Sequence, residues 1–210
     1  MSFHTRGALR LAALLLAALW ANGASGADSP DTPSVAAQHF AAAAVRAGDN
    51  QRLPFAVVDK VNARVWVFGT EGELRGTAPV LLGLAIGDES VPGIGERKMS
   101  EIKPGERTTP AGRFMSEPGR NLRGEDIVWV DYEAAVSMHR VRATNAAERR
   151  LERLASPSVR DNRISFGCIN VPAAFYDLHI QPAFGQARGI VYVLPETRDP
   201  RDRFDFLGTP

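Results

Sequence analysis

Hydrophobic positions along the chain fall into short β-type runs separated by turn chemistry. Phe55-Ala56-Val57-Val58-Asp59 and Ala63-Arg64-Val65-Trp66-Val67-Phe68 are rich in β-branched and aromatic residues, and the second alternates in and out. Lys60-Val61-Asn62 between them reads as a tight turn, so the pair predicts a hairpin. Further strands are predicted within Leu74 to Ile86, from Gly112-Arg113-Phe114-Met115, at Ile127-Val128-Trp129-Val130-Asp131 with Ala135 to Arg140 as its partner, and at Gly189 to Leu194. Helical signals are fewer. Asn145 to Leu154 has an N-cap in Asn145, Glu148 three residues on as in a capping box, and Pro157 as a stop. Pro172 to Ile180 reads as a second helix, with Asn170 as its N-cap. From Gly87 to Pro110 glycine, proline and charge replace any period, which predicts a long loop of the kind that carries function. The spacing suits a mainly β sandwich or barrel with two short helices, not a parallel α/β sheet.

The first residues have a different pattern. Arg6 and Arg10 precede an uncharged apolar run from Leu11 to Trp20, too short to span a bilayer, and Ala24-Ser25-Gly26 supplies small residues for cleavage. Residues 1–26 are therefore expected to be a secretory signal, and the mature chain to be exported to a periplasm or cell-wall space without a membrane span. Residues 27–52 read as a leader, with Ser29-Pro30-Asp31-Thr32-Pro33 as a linker and one Ala-rich helix over Val35 to Ala47. Residues 53–195 read as one folded domain, and 196–210 as a tail. A net charge of +1 does not mark a nucleic-acid binder, and a single cysteine leaves stability to packing alone. A monomer is expected.

That cysteine is the main chemical signal. Cys168 sits in Ile164-Ser165-Phe166-Gly167-Cys168-Ile169-Asn170 and cannot form an internal disulfide. It is either a small buried apolar side chain or a reactive thiol. Gly167 permits close backbone approach, and Pro172 can open a helix just beyond. A thiol ahead of a helix N-terminus feels the positive end of the dipole, which favours thiolate. A nucleophilic thiol needs a proton partner, and four histidines are available. His4 lies in the signal, His39 in the leader and His179 inside a predicted helix. His139 ends a predicted strand from which the chain returns to Cys168. It is either a strand-end histidine bonded to backbone or the partner of the thiol. No Cys or His pair suggests a metal, no Gly-x-Ser-x-Gly elbow is present, and Gly93-x-Gly95 opens no helix. No cofactor is expected.

Ser165-Phe166-Gly167-Cys168-Ile169-Asn170 resembles the Ser-His-Gly-Cys-x-Arg/Asn signature of YkuD-type L,D-transpeptidases. Val58-Asp59-Lys60-x-Asn62 with the following strand resembles that family's first hairpin. Thr109-Pro110-Ala111-Gly112-Arg113-Phe114 resembles its Thr-Pro-x-Gly-x-Phe segment, and Ser137-Met138-His139 the strand that carries its histidine. The resemblance covers roughly Leu53 to Leu194. It implies a YkuD-like β fold in which two short helices flank the catalytic loop. It also implies Cys168 as nucleophile, His139 as proton partner oriented by the Arg140 carbonyl, amides around Gly167 and Cys168 for the oxyanion, and Ser165 and Asn170 shaping the pocket. The implied donor is a peptidoglycan stem tetrapeptide, cut at the L,D bond before its terminal D-alanine through an acyl-thioester. The acceptor is an amine, giving a transpeptidase, or water, giving a carboxypeptidase. A silent wall-binding domain is the third alternative.

Two departures from the family pattern stand out. Phe166 replaces the usual histidine and can neither donate nor accept a proton. Residues 140–163 form a longer insert with seven arginines, including Arg140 and Arg163, against Glu148, Glu152 and Asp161. This insert is either a solvated face with paired charges or a basic lid gripping stem-peptide carboxylates, with Arg163 as the foremost candidate because it lies closest to Cys168.

Overall fold

The structure is a computed structural model that describes Met1 and residues 34–208; the expected signal and the linker before Ser34 lie outside the described residues. Among the described residues ten strands, β1 (Phe55–Asp59), β2 (Arg64–Phe68), β3 (Leu74–Pro79), β4 (Leu82–Gly83), β5 (Gly112–Arg120), β6 (Asp126–Asp131), β7 (Val136–Arg140), β8 (Arg163–Ser165), β9 (Ile169–Val171) and β10 (Gly189–Leu194), form two sheets. Eight of them run in the order β3-β2-β1-β10-β5-β6-β7-β9, and β4 pairs with β8. The fold is mainly β, as the hydrophobic spacing predicts.

The large sheet nearly closes on itself. Leu81, just after β3, exchanges two backbone hydrogen bonds of 2.9 Å with Asn170 in β9, so the two ends of the strand order meet. Most neighbours are antiparallel, but β1 runs parallel to β10 and β7 parallel to β9. That second parallel pair sets His139 opposite Asn170, two residues beyond Cys168.

Strands β1 and β10 are buried at every position, which is why they read as apolar runs and not as alternating ones. One face of the sheet packs into the enclosed core with Val58, Val65, Met138, Ile169 and Val193. The other face, with Phe55, Val57, Trp66 and Tyr192, packs against helix α1 (Val35–Arg46) through Ala37, Phe40, Ala41 and Ala44, and against Phe204. Phe40 meets Tyr192 and Phe204 edge to face, with ring centroids 5.2 and 4.9 Å apart. The Ala-rich helix and the residues after 195 thus share a core with the strands of the 53–195 segment. Ser34 caps α1 by accepting from the Ala37 N–H at 3.1 Å.

The helix expected over Asn145 to Leu154 is broken. Asn145 does cap a first 3₁₀ turn, Ala146–Glu148, accepting from Ala147 N–H at 3.1 Å. Arg149 then takes a left-handed φ of 50°, and α2 (Arg150–Ala155) restarts beyond it. Glu148 turns to Arg150 instead of closing a capping box. The second expected helix begins later than predicted, with Pro172 as N-cap in place of Asn170: α3 (Ala173–Phe175), a π turn at Tyr176–Ile180 and α4 (Gln181–Phe184) follow. Between Cys168 and α3 lies β9, so the thiol is not at a helix N-terminus, and the dipole expected to favour thiolate is not applied there.

Behind the sheet closure lies a buried ionic cluster that the sequence pattern does not reveal. Lys60, in the turn of the first hairpin, has a fully buried side chain. Its Nζ sits 2.8 Å from Asp88 Oδ1 and 3.4 Å from Glu196 Oε1, and it donates to the carbonyls of Gly87 at 2.5 Å and Thr109 at 3.0 Å. Burial pushes the Asp88 carboxyl up, but Lys60, the Thr197 hydroxyl and the N–H groups of Glu196 and Thr197 outweigh it and hold the group well below the ordinary carboxylate range. Lys60 therefore ties the first hairpin, the long loop and the residues after β10 into one unit.

Candidate active site

Cys168 follows the tight loop Phe166-Gly167 between β8 and β9, and His139 stands on the neighbouring strand β7. His139 Nδ1 lies 2.8 Å from the Arg140 carbonyl oxygen. A carbonyl only accepts, so Nδ1 carries the proton, and in the neutral ring Nε2 is the lone-pair nitrogen. The imidazole stands near enough to the Cys168 thiol to act on its pKa. Ser137, two residues earlier on the same face of β7, brings its Oγ to 3.6 Å from Sγ, and the Ala135 carbonyl lies 3.7 Å from Sγ. Burial acts to push the thiol pKa up, but the hydrogen bond and charge of His139, with the Ser137 backbone and hydroxyl, win, and the thiol sits below its ordinary value. The source of the activated thiol is the imidazole, not a helix dipole.

The loop before the thiol is fixed from both sides. Gly167 has φ 132°, and a Cβ there would come within 2.8 Å of the Thr108 carbonyl, so only glycine fits. Thr109 Oγ1 donates to the Gly167 carbonyl at 2.8 Å and accepts from the Gly83 N–H at 2.9 Å. The Thr109 carbonyl in turn accepts from Lys60, which joins the buried cluster to the loop. Thr109 belongs to the Thr-Pro segment, but its bridging position emerges only in three dimensions. Ser165 Oγ donates to the Cys168 carbonyl at 2.7 Å and accepts from Gly167 N–H at 3.1 Å. The Gly167 amide is thereby committed to Ser165, which leaves the Cys168 N–H as the amide open to an oxyanion. Asn170 is fully buried, donates to the Cys168 carbonyl at 3.2 Å and accepts from Arg150 Nη1 at 2.8 Å. Ser165 and Asn170 thus shape the thiol loop from beneath.

Among the described residues, six of the seven arginines of the insert find partners through their side chains. The Arg163 guanidinium, expected to meet substrate carboxylates, instead binds Glu196 and donates to the Lys60 carbonyl at 2.7 Å. Arg140 pairs with Asp126 at 2.8 Å and Asp177 at 2.6 Å and lies over the Tyr176 ring, so its carbonyl serves His139 while its side chain faces the other way. Arg142 binds Glu125, Arg149 binds Glu152, and Arg153 donates to the carbonyls of Glu148 and Asp161. The charge-paired reading of this segment fits these contacts. His179 stands apart, against Phe175 and Gly76, where burial lowers its pKa.

No family model matches the chain, and no curated protein matches it. Solved structures similar to it include an L,D-transpeptidase, LdtMt1, in complex with imipenem, at 17% identity over 67% of this chain and 58% of that one, with a TM-score of 0.37. Another is an L,D-transpeptidase from Mycobacterium smegmatis, at 15% identity over 67% and 58%, with a TM-score of 0.38. A third is the helical cell shape determining protein Pgp2 from Campylobacter jejuni, at 13% identity over 77% and 56%, with a TM-score of 0.45. The chain spans less than two thirds of the length of each.

Proposed function

We propose that this chain is an exported cysteine acyltransferase that cuts the L,D bond before the terminal D-alanine of peptidoglycan stem tetrapeptides and passes the acyl group to an amine. The observation that carries the proposal is the array of Cys168, His139 and the Arg140 carbonyl, in which an imidazole of fixed tautomer, on the strand beside the thiol loop, lowers the thiol pKa.

The chemistry follows from the array. His139 Nε2 takes the thiol proton, and Sγ attacks the scissile carbonyl carbon to form a C–S bond. The carbonyl oxygen becomes an oxyanion that the Cys168 N–H is placed to receive. As the C–N bond breaks, the imidazolium returns its proton to the departing amine of D-alanine, leaving an acyl-thioester. An acceptor amine then attacks the thioester, loses a proton to His139, and releases Cys168 with a new amide bond. Phe166 takes no part in these transfers, since the proton path needs only His139. The four ordered sequence motifs support peptidoglycan as substrate, and the basic, then apolar, then small-residue pattern of residues 1–26 supports export.

The test is to incubate the mature protein with purified tetrapeptide muropeptides and resolve the products by mass. The expected result is free D-alanine together with a cross-linked or amine-extended product. Tripeptide with D-alanine and no transfer product would establish water as the acceptor. Binding to wall material with no release of D-alanine would replace the enzyme with a binding domain.

A further inference from the structure

Arg107 differs in its surroundings from the ion-paired arginines of the insert, Arg140, Arg142, Arg149, Arg150 and Arg163. It lies in the long loop, one residue before Thr108 and Thr109, the pair that clamps Gly167. Its guanidinium carbon sits 3.8 Å from the centroid of the Phe166 ring, two residues before the thiol. The backbone cannot drift from this place: the Arg107 carbonyl accepts from Ala85 N–H at 3.0 Å, and it presses on Gly83 so closely that a Cβ there would come within 2.4 Å. Nε and Nη2 both donate to one acceptor, the Ile102 carbonyl, at 3.2 and 3.1 Å. Arg107 forms no ion pair among the described residues, and its Nη1 has no hydrogen-bond partner among them. A half-buried guanidinium seated over an aromatic ring, with its charge unneutralised by any described residue and one edge open, is prepared for an anion.

We infer that Arg107, stacked on Phe166, forms the subsite that receives the free carboxylate of the donor's departing terminal residue. This rests on the L,D-cleavage reading above. That carboxylate is separated from the scissile nitrogen by a single carbon, so it must lie beside the thiol when the bond is attacked. Phe166 and the Thr108–Gly167 contact hold Arg107 against the loop that carries the thiol. The inference also gives Phe166 a task. An imidazole at this position could carry a proton and repel the guanidinium, whereas a phenyl ring gives it a neutral face to lie on. The carboxylate recognition expected of Arg163, whose charge Glu196 holds, passes to Arg107.

The test compares three synthetic tetrapeptides: one with free carboxylates, one amidated at its C-terminus, and one amidated only at the side-chain carboxylate of its third residue. Equilibrium binding to full-length Cys168→Ala protein is measured with and without Arg107→Gln, so that no turnover is needed. With Arg107 present, the C-terminal amide is expected to bind about 10- to 100-fold more weakly than the acid, the effect of losing one charge-assisted pair. The side-chain amide is expected to bind like the acid, and Arg107→Gln to erase the acid's advantage. In the protein with Cys168 intact, Arg107→Gln should raise KM for the acid and leave KM for the C-terminal amide in place. An acid-to-amide ratio that survives Arg107→Gln, or a preference that follows the side-chain carboxylate, would overturn the inference. Failure of the Cys168-containing protein to release D-alanine would overturn the L,D-cleavage reading instead, while the binding ratio still decides the role of Arg107.

Discussion

His139→Ala is expected to lower the rate of Cys168 acylation by about 10²–10⁴-fold, the usual contribution of a positioned proton-transfer group. The imidazole has two tasks at the thiol. It accepts the proton during attack, and in the resting site it holds the thiol pKa down against burial. Removing it leaves the burial effect unopposed by its largest counterweight, so the thiol pKa must rise. Alkylation of Cys168 by iodoacetamide, followed against pH, should therefore show its midpoint move to higher pH in the variant. Thermal stability should stay close to wild type, because His139 is only half-buried and its backbone partner is its immediate neighbour, Arg140. His179→Ala should leave the alkylation profile in place, since His179 faces Gly76 and Phe175. Loss of reactivity in His179→Ala with retention in His139→Ala would reverse the assignment.

Lys60→Met is expected to cost about 3–5 kcal/mol of folding stability, the range seen when one partner of a buried ion pair is removed. Asp88 and Glu196 would then be left with side chains that are 1% and 5% exposed and without their shared cation. Arg163 still pairs closely with Glu196, whereas Asp88 keeps as its cation only the half-exposed Arg198 at 3.8 Å, so the loss falls mainly on Asp88. The pH dependence has a definite sign. Asp88 is held below its ordinary pKa in the folded protein, so its contribution is fully present above the unfolded carboxylate value, about 3.9, and is lost as pH falls through the lower folded value. Without Lys60, burial still pushes the carboxyl up, and acid unfolding should begin at higher pH. Urea titrations of the two proteins at neutral and acidic pH measure both effects. A midpoint unchanged by the substitution would show that the cluster contributes nothing net. Because Lys60 also holds the Thr109 carbonyl, the folded fraction of Lys60→Met should alkylate more slowly at Cys168.

The strands that dominate the core were legible because their apolar runs are long enough to show a pattern; β1 and β10, buried on both faces, are unbroken hydrophobic segments. Strands β8 and β9 have three residues each, too few for any period, yet they frame Cys168. Their absence from the reading is why a helix end was expected beside the thiol. The cap and stop signals of residues 145–154 bound real helical turns, but nothing in the residue types announces the left-handed Arg149 that divides them. Cys168, His139, Ser165, Gly167 and Asn170 were legible as a set because the Cys box and the histidine strand are local motifs. Lys60 was not, because its partners Asp88 and Thr109 and its contact Arg163 lie 28, 49 and 103 residues away in sequence. Arg163 was misleading for the same reason: proximity to Cys168 along the chain suggested a substrate contact, while Glu196 waited far downstream.

The acyl-thioester on Cys168 is the species on which the proposed reaction depends. The protein should be mixed with a stem tetrapeptide, quenched in acid after seconds, and weighed intact. The predicted result is a mass gain equal to the mass of the tetrapeptide less that of free D-alanine, located on Cys168 by peptide mapping and absent from Cys168→Ala. An adduct of the same mass on Cys168→Ala, or release of D-alanine by that variant at the wild-type rate, would contradict it.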